Sequence, residues 1–233
     1  MSTFPGGTAV SRIRVYDWPA EDGPAGGTPH LHTACTEGYL VLAGHGRLET
    51  LSGGGYQEHP LAPGTVLWFT PGTVHRLVNT GGLEILVVMS NAGLPEAGDA
   101  VLTFPPEVLA DPAAYWAAAT LPDRPAADAA RRRRDLAVTG YLALRDRVRS
   151  AGPDPLGDLH RAAAALVADR VPDWRTRWRD GPLARAVDTG DHLDLLAAGE
   201  GAHMTESAVH TGRPTPPRYG MCGHLSGWQL GSR

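Results

Sequence analysis

The sequence predicts a mainly β fold followed by an α-helical extension, and three observations support this prediction. Between residues 10 and 104, short apolar runs alternate with turns rich in Gly, Pro, Asn and Ser, a pattern typical of an antiparallel sandwich or small barrel. After about residue 105, the apolar spacing changes to the three- and four-residue steps of a helix. Gly (29) and Pro (20) are abundant, so turns must be frequent.

The predicted strands of the first part lie between short glycine-rich turns. Their sequences are SRIRVYDW (11–18), EGYLVLAG (37–44), GRLETL (46–51), GTVLWFT (64–70), HRLVNT (75–80) and LEILVVMS (83–90). The turns lie near Gly44, Gly53, Pro71 and Gly81. Because glycine adopts positive φ at little cost, short turns of this composition suit β-hairpins.

The second part, residues 105–200, predicts helices. In DPAAYWAAAT, Asp111 and Pro112 are suited to the N-cap and first helical positions. A helix over residues 126–150 and another after the GPDP break are predicted by two apolar stripes, Ala137, Tyr141, Leu144, Val148 and Leu156, Leu159, Ala163, Leu166. One or two further helices are expected between residues 172 and 198. Residues 201–233 predict an irregular tail that could pack on the barrel.

Composition and charge exclude some classes of function. The net charge of −4 argues against a general nucleic-acid binder. All 21 basic residues are arginine, which excludes lysine-based covalent chemistry. The two cysteines, Cys35 and Cys222, are too few for a disulfide framework, and no signal-peptide core or membrane-length apolar run is present. We therefore expect a cytoplasmic protein without a membrane partner.

A run of four arginines, Arg131–Arg134, lies in the predicted long helix. Four successive residues spread around a helix, so they do not form one recognition face. Asp128 and Asp135 lie four residues from Arg132 and Arg131, which favours a solvated, ion-paired helix over a nucleic-acid site. Replacing the run with glutamine is then expected to change little except solubility.

The stretch HLHTACTEGYLVLAG, which begins at His30, carries potential metal ligands. His30 and His32 share one face of a strand, Glu37 begins the next apolar run, and His75 starts another strand after a Pro-Gly turn. Three imidazoles and one carboxylate form a mixed N/O set suited to Fe, Mn, Ni, Cu or Zn. On an octahedral ion, four such ligands leave two positions open, which indicates a catalytic divalent metal site.

Several neighbours of this set could take part in the site. Tyr39 shares strand parity with Glu37 and is a candidate catalytic residue that donates a proton or hydrogen bond, although a core aromatic is the alternative. Trp68 and Phe69 could shape the pocket. Arg76 alternates away from His75, so we expect it to point outward.

The two ligand segments resemble the paired motifs of the cupin superfamily. The positions that match are His30, His32, Glu37 and Gly44 in the first motif and Gly64, Gly72, His75 and Asn79 in the second. Two turn positions differ: Pro24 stands where the first glycine is expected, and Thr70 replaces the motif proline. The resemblance covers residues 10–104 and implies a small antiparallel β-barrel, a jelly roll or double-stranded β-helix, with the metal inside and often with a dimeric assembly.

These observations favour a metal-dependent enzyme acting on a small organic substrate. Oxidative, dioxygenase-type chemistry fits best, because such a centre can bind substrate and O₂ side by side; isomerase, lyase and decarboxylase reactions of the same fold are alternatives. The β-then-α order also suits a ligand-sensing regulator, although no helix-turn-helix pattern is evident. A third alternative is a storage cupin with a vestigial site. The expected partners are a small-molecule substrate and a second copy of the chain in a homodimer, with no nucleic acid.

Overall fold

The structure, a computed structural model, describes residues 4–123 and 127–230. Ala126, in the predicted long helix, and residues 231–233 of the predicted tail lie outside the described residues. The strands of the first part are β1 (Ala9–Val15), β2 (His30–His32), β3 (Glu37–Ser52), β4 (Gly55–Leu61), β5 (Val66–Phe69), β6 (Val74–Met89) and β7 (Ala100–Leu102). The helices are α1 (Pro106–Leu109), α2 (Pro112–Ala119), α3 (Ala127–Ala151), α4 (Leu156–Val167), α5 (Val171–Trp178) and α6 (Ala184–Ala197). The predicted mainly β fold with a C-terminal helical part is confirmed.

Two 16-residue strands, β3 and β6, organise the sheet as one long antiparallel ribbon. One half of the ribbon is flanked by β5 and β1, and the other half by β4 and β2. Residues 75 and 89 would be roughly 45 Å apart along a straight strand. Glu37 pairs with Met89, yet its carboxylate lies 3.2 Å from the ring of His75. The ribbon therefore folds back on itself, which brings its two halves face to face.

Glycines at the middle of the ribbon make this bend possible. The register is irregular between Val41 and Gly46, and both Gly44 (φ 73°) and Gly82 (φ 60°) have positive φ. A Cβ atom on Gly44 would lie 2.2 Å from the carbonyl oxygen of Gly82, so only glycine fits. The hairpin turns predicted near Gly44 and Gly81 are wrong, because these residues bend the paired strands without ending them. The hairpin predicted near Gly53 is confirmed.

The sheet is not closed into the predicted barrel. Among the described strands, the pairing runs β4-β3-β6-β1 and continues into two strands of the tail, β10 (Gly223–Ser226) and β9 (Arg218–Tyr219). The outer strands β5 and β7 have only four and three residues, and each pairs with a single neighbour, so the edges stay open. The two halves are held together by a common core of apolar side chains that includes Ile13, Leu48 and Ile85.

Helices α3 and α4 contribute side chains to the same apolar core as the sheet. Asp111 caps α2 as predicted, because its carboxylate accepts hydrogen bonds from the backbone N–H groups of Ala113 and Ala114. Both predicted apolar stripes, on α3 and α4, are buried. A Cβ on Gly140 would lie 2.2 Å from the carbonyl oxygen of Thr103, so α3 approaches the end of β7 closely. None of the helices in the described ranges is both long and apolar enough to cross a membrane.

The tail contributes strands as well. Residues of β10 pair antiparallel with β1, and β9 pairs with β10. Two further short strands, β8 (Gly212–Pro214) and β11 (Trp228–Leu230), pair with each other. The hydroxyl group of Thr28, beside the first histidine, donates a hydrogen bond of 2.6 Å to the carbonyl of Met221. The tail therefore lies directly against the start of β2.

Candidate metal centre

The structure brings together the four side chains that the sequence predicts as ligands. His30 and His32 lie in β2, Glu37 begins β3, and His75 lies in β6, where it pairs with His30. All four are buried, and one ligand atom from each lies within 4.8 Å of the others. Because the ribbon folds back, residues from both halves meet at one point inside the protein.

The spacing of the ligand atoms fits a first-row divalent ion. The Nε2 atoms of His32 and His75 each lie 3.2 Å from Oε2 of Glu37. The Nε2 atoms of His30 and His75 are 3.1 Å apart. With metal–ligand bonds of about 2.1 Å, two ligand atoms at right angles around an ion are about 3.0 Å apart. The observed separations agree with this arrangement.

Two of the imidazoles have a tautomer fixed by the backbone. Nδ1 of His30 lies 2.8 Å from the carbonyl oxygen of Thr28, and Nδ1 of His75 lies 3.2 Å from that of Thr73. A carbonyl can only accept, so each Nδ1 donates its proton, and in a neutral ring each Nε2 presents a lone pair. Two such lone pairs 3.1 Å apart repel each other unless a proton or a metal ion lies between them.

Several buried polar atoms at the centre have no hydrogen-bond partner. They include both ring nitrogens of His32 and Oε2 of Glu37, whose close contacts are not directed as hydrogen bonds. An unsatisfied buried group costs about 1–3 kcal/mol, and a charged one costs more. A divalent cation would satisfy Nε2 of His32 and Oε2 of Glu37 together. These residues therefore fit a metal ion.

The pKa values of His30 and Glu37 are shifted in the directions that favour binding of a cation. Burial, together with His75 and His32, holds the pKa of His30 well below its usual value. Burial alone would raise the pKa of Glu37, but His32 and His75 outweigh it and hold that pKa well below the usual range. Metal ligation requires neutral imidazoles and an ionised carboxylate. His32 departs from this: burial lowers its pKa, but Glu37 and Asp99 outweigh burial and raise it to about 9.

Asp99 contacts Nδ1 of His32, the ring nitrogen that is not near Glu37, and it was not predicted from the sequence. Its Oδ2 lies 3.2 Å from Nδ1 of His32, while the carboxylate accepts hydrogen bonds from the backbone N–H groups of Thr33 (3.0 Å), Ala34 (2.7 Å) and Cys35 (3.1 Å). A carboxylate in this position orients a ligating histidine and raises its basicity. The only signal in the sequence was the place of Asp99 just before a short apolar run, AVL, that forms β7.

Tyr39 lies next to the four side chains. It is buried, and its hydroxyl group has no hydrogen-bond partner. Burial first, and Glu37 second, raise the pKa of Tyr39 well above its usual value, so the phenol keeps its proton. Phe69 covers His75, with 4.4 Å between the ring centres. Trp68 is 72% exposed on the opposite face of β5. Contrary to the expectation from the sequence, it therefore does not shape this site.

The expectation that Arg76 points outward is wrong. Arg76 is fully buried and forms a two-bond ion pair with Asp22, at 2.7 and 2.8 Å. Its guanidinium also lies 5.7 Å from the ring centre of Tyr141. The side chain does alternate away from His75, but α3 and the loop carrying Asp22 cover that face of β6.

The arginine run is not the solvated, ion-paired stretch that the sequence predicts. Arg134 is fully buried and donates hydrogen bonds to the carbonyl oxygens of Trp18 (2.7 Å) and Pro19 (2.9 Å). Arg133 donates one of 2.6 Å to the carbonyl of Gly220 in the tail. The reason is that this end of α3 packs against the loop after β1 and against the tail, which supply carbonyl acceptors. Arg132 is exposed as expected.

A cavity of about 330 Å³ lies beside the centre. His30, His32 and Glu37 form part of its wall. Arg133 and Arg218 also line it, and the largest share of the remaining wall is apolar: Ile13, Val87, Met89, Leu121, Met221 and Leu225. The helical part and the tail thus complete a cavity that is lined by three of the four side chains of the centre.

Comparison with solved structures found similarity over little more than a third of the chain. The chain is similar to the Streptomyces nucleoside dehydratase Pac13 (TM-score 0.29, 14% identity, 38% of this chain and 63% of that chain). It is also similar to a cupin protein from Bacteroides fragilis (0.27, 20%, 37% and 65%) and to an 11S globulin from Wrightia tinctoria (0.31, 20%, 36% and 20%). The chain therefore covers less than two thirds of each of these proteins. TM-scores this low support no conclusion about activity.

Comparison with curated protein sequences found no match. Residues 19–89, in contrast, match the Cupin domain family, and this range contains all four side chains of the centre. The helices that follow lie outside the matched range. Residues 19–89 are therefore a Cupin domain, and the helical part follows them in the chain.

Proposed function

We propose that this protein is a metal-dependent enzyme that acts on a small organic substrate. The metal ligands are Nε2 of His30, His32 and His75 and the carboxylate of Glu37, and the ion is divalent Fe, Mn, Ni, Cu or Zn. The observation that carries the proposal is the convergence of buried lone pairs, 3.1–3.2 Å apart, with no hydrogen bond to satisfy Oε2 of Glu37 or Nε2 of His32.

Oxidative chemistry of the dioxygenase type is the leading reaction class. A bound divalent ion supplies Lewis-acid polarisation of substrate oxygens and, if it is redox-active, electron exchange with O₂. Four protein ligands leave two octahedral positions, and the adjoining cavity offers room for a substrate. Asp99 holds His32 in place, and Phe69 shields His75 from water.

An isomerase or lyase is the second candidate, and Tyr39 favours it. A buried phenol without a hydrogen-bond partner, kept protonated beside Glu37, is suited to donating a hydrogen bond to a substrate oxygen. In such a reaction, Tyr39 would donate this hydrogen bond to the oxygen of a substrate carbonyl and stabilise the negative charge that develops there, and the phenol would keep its proton. This reaction needs no O₂.

Elemental analysis of protein purified without chelator or metal-affinity resin tests the proposal. We expect about one divalent ion per chain, as the four-ligand centre requires. Electron paramagnetic resonance then identifies a paramagnetic ion. Protein that stays below a tenth of an ion per chain, even after incubation with each of the five metals, would show that the centre is not a metal site and would support the storage alternative.

Tyr39→Phe separates the two reaction classes. If Tyr39 is the hydrogen-bond donor to the substrate oxygen, the variant keeps its metal but loses proton exchange by a factor of about 10²–10³. The measurement is anaerobic deuterium exchange into small carbonyl compounds, followed by NMR, with metal content determined on the same samples. Wild-type protein that consumes O₂ with its substrate and shows no anaerobic exchange would favour the oxidative class instead.

A further inference from the structure

Arg133 reaches from α3 into the wall of the cavity beside the centre. Its terminal nitrogens donate hydrogen bonds to the carbonyl oxygens of Gly220 (2.6 Å) and Ala119 (3.3 Å). Its Nε is buried and has no partner. A guanidinium has five N–H donors, so three of them stay available after the two carbonyl contacts. The two carbonyls fix the side chain in place without using its charge.

No carboxylate balances this charge within the described ranges. The buried arginines Arg76 and Arg134 lie next to Asp22 and Asp135, at 2.7 Å in each case, whereas no described carboxylate lies within 4.0 Å of Arg133. An unpaired cation taken out of water is costly unless another group compensates it. Arg133 is therefore a positive group that is held in position and lacks an anion.

The charges around the cavity also favour an anionic ligand. A divalent ion would be balanced by the carboxylates of Glu37 and Asp99. Arg133 and, at the exposed edge, Arg218 remain as positive groups that line the same cavity, and Arg218 has no described ion-pair partner either. A site with a bound divalent ion would therefore carry an excess of positive charge, which attracts an anionic ligand.

We propose that this cavity binds a small carboxylate with an apolar body, and that Arg133 binds the carboxylate group. This inference rests on the proposed function for the role of the metal, and it adds the substrate class. The planar guanidinium matches a carboxylate through paired hydrogen bonds. The apolar residues of the wall, such as Val87, Met89 and Leu121, suit the remainder of the ligand. The helical part thus supplies the specificity of the cupin centre.

Calorimetric titration with benzoate and its neutral analogue benzamide tests this assignment. We expect zinc-loaded wild type to bind benzoate at least tenfold more tightly than benzamide at low salt. Arg133→Gln should lose at least tenfold in benzoate affinity and leave metal content unchanged. The exposed neighbour provides a matched control, because Arg132→Gln should bind benzoate as wild type does. Arg133→Lys, which keeps the charge without the planar group, should bind with intermediate affinity.

Metal-free protein separates this inference from the proposed function. Benzoate can bind a metal directly, so a preference for benzoate over benzamide in metal-free wild type reports on the protein's own positive groups, Arg133 and Arg218. That comparison needs no variant, so it stands even if Arg133→Gln unfolds in a thermal melt. Equal affinities for the two probes, unchanged benzoate binding in a folded Arg133→Gln, or tighter Arg133-dependent binding of inorganic phosphate would overturn the carboxylate assignment. Loss of metal binding alone would contradict only the proposed function.

Discussion

Glu37→Gln is expected to abolish stable metal binding while the fold stays intact. The substitution keeps the size of the side chain but removes the negative charge and the carboxylate oxygen that lies 3.2 Å from two imidazoles. Changes to groups behind a metal ligand cost 10–100-fold in affinity, so loss of a charged ligand should cost more than about 100-fold. Competition with a chromogenic chelator measures the affinity, and elemental analysis after dialysis measures retention.

The control is a histidine of the same sheet outside the centre. His59 lies on β4 and contacts Thr50 through a 3.1 Å hydrogen bond. His59→Ala should therefore keep the full metal content. His75→Ala should lose metal as Glu37→Gln does, although it also opens a space beneath Phe69. Full metal retention in either ligand variant, with a wild-type melting curve, would show that the assigned ligands are wrong.

Arg134→Gln is expected to destabilise the fold by about 2–4 kcal/mol, because hydrogen bonds from a charged donor contribute about 1.5–3 kcal/mol each. The guanidinium donates hydrogen bonds to the carbonyls of Trp18 and Pro19, and its Nε lies 2.7 Å from Asp135. A glutamine is too short to reach these acceptors, so buried carbonyls would lose their donors. Urea unfolding measures the change in the free energy of unfolding.

Arg132→Gln again serves as the reference, because that side chain is exposed one position earlier on the same helix. It should shift the free energy of unfolding by less than about 0.5 kcal/mol. If both variants unfolded at the same urea concentration, the buried contacts of Arg134 would contribute nothing. Such a result would restore the expectation, drawn from the sequence, that the whole run can be replaced at little cost.

The four-residue centre could be predicted because its signal is local. Alternation places the two histidines of the pair on one face of a strand. The glutamate and the third histidine each mark the start of a strand. The burial of Arg134 was also open to prediction. Ala130, Ala137 and Tyr141 are buried on one stripe of α3, and residue 134 falls on that stripe four positions after residue 130. Because Arg134 is charged, a pattern of apolar residues does not include it.

Other features depend on contacts between distant parts of the chain. Glycine at positive φ serves a hairpin and a bend equally well, so only the long-range pairing of β3 with β6 decides which one forms at Gly44. The positions of Asp99 and Arg133 depend on how β7 meets β2 and on how α3 meets the tail. The residue pattern within one segment does not predict such contacts between segments.

The contribution of the tail to the cavity has a consequence during synthesis. The ligands lie between residues 30 and 75, whereas the wall that includes Met221 and Leu225 is translated later. At ordinary rates of translation, the two are separated by roughly ten seconds. A nascent chain therefore holds its full set of ligands well before that wall exists, so an ion can reach these side chains before the tail covers one side of the cavity.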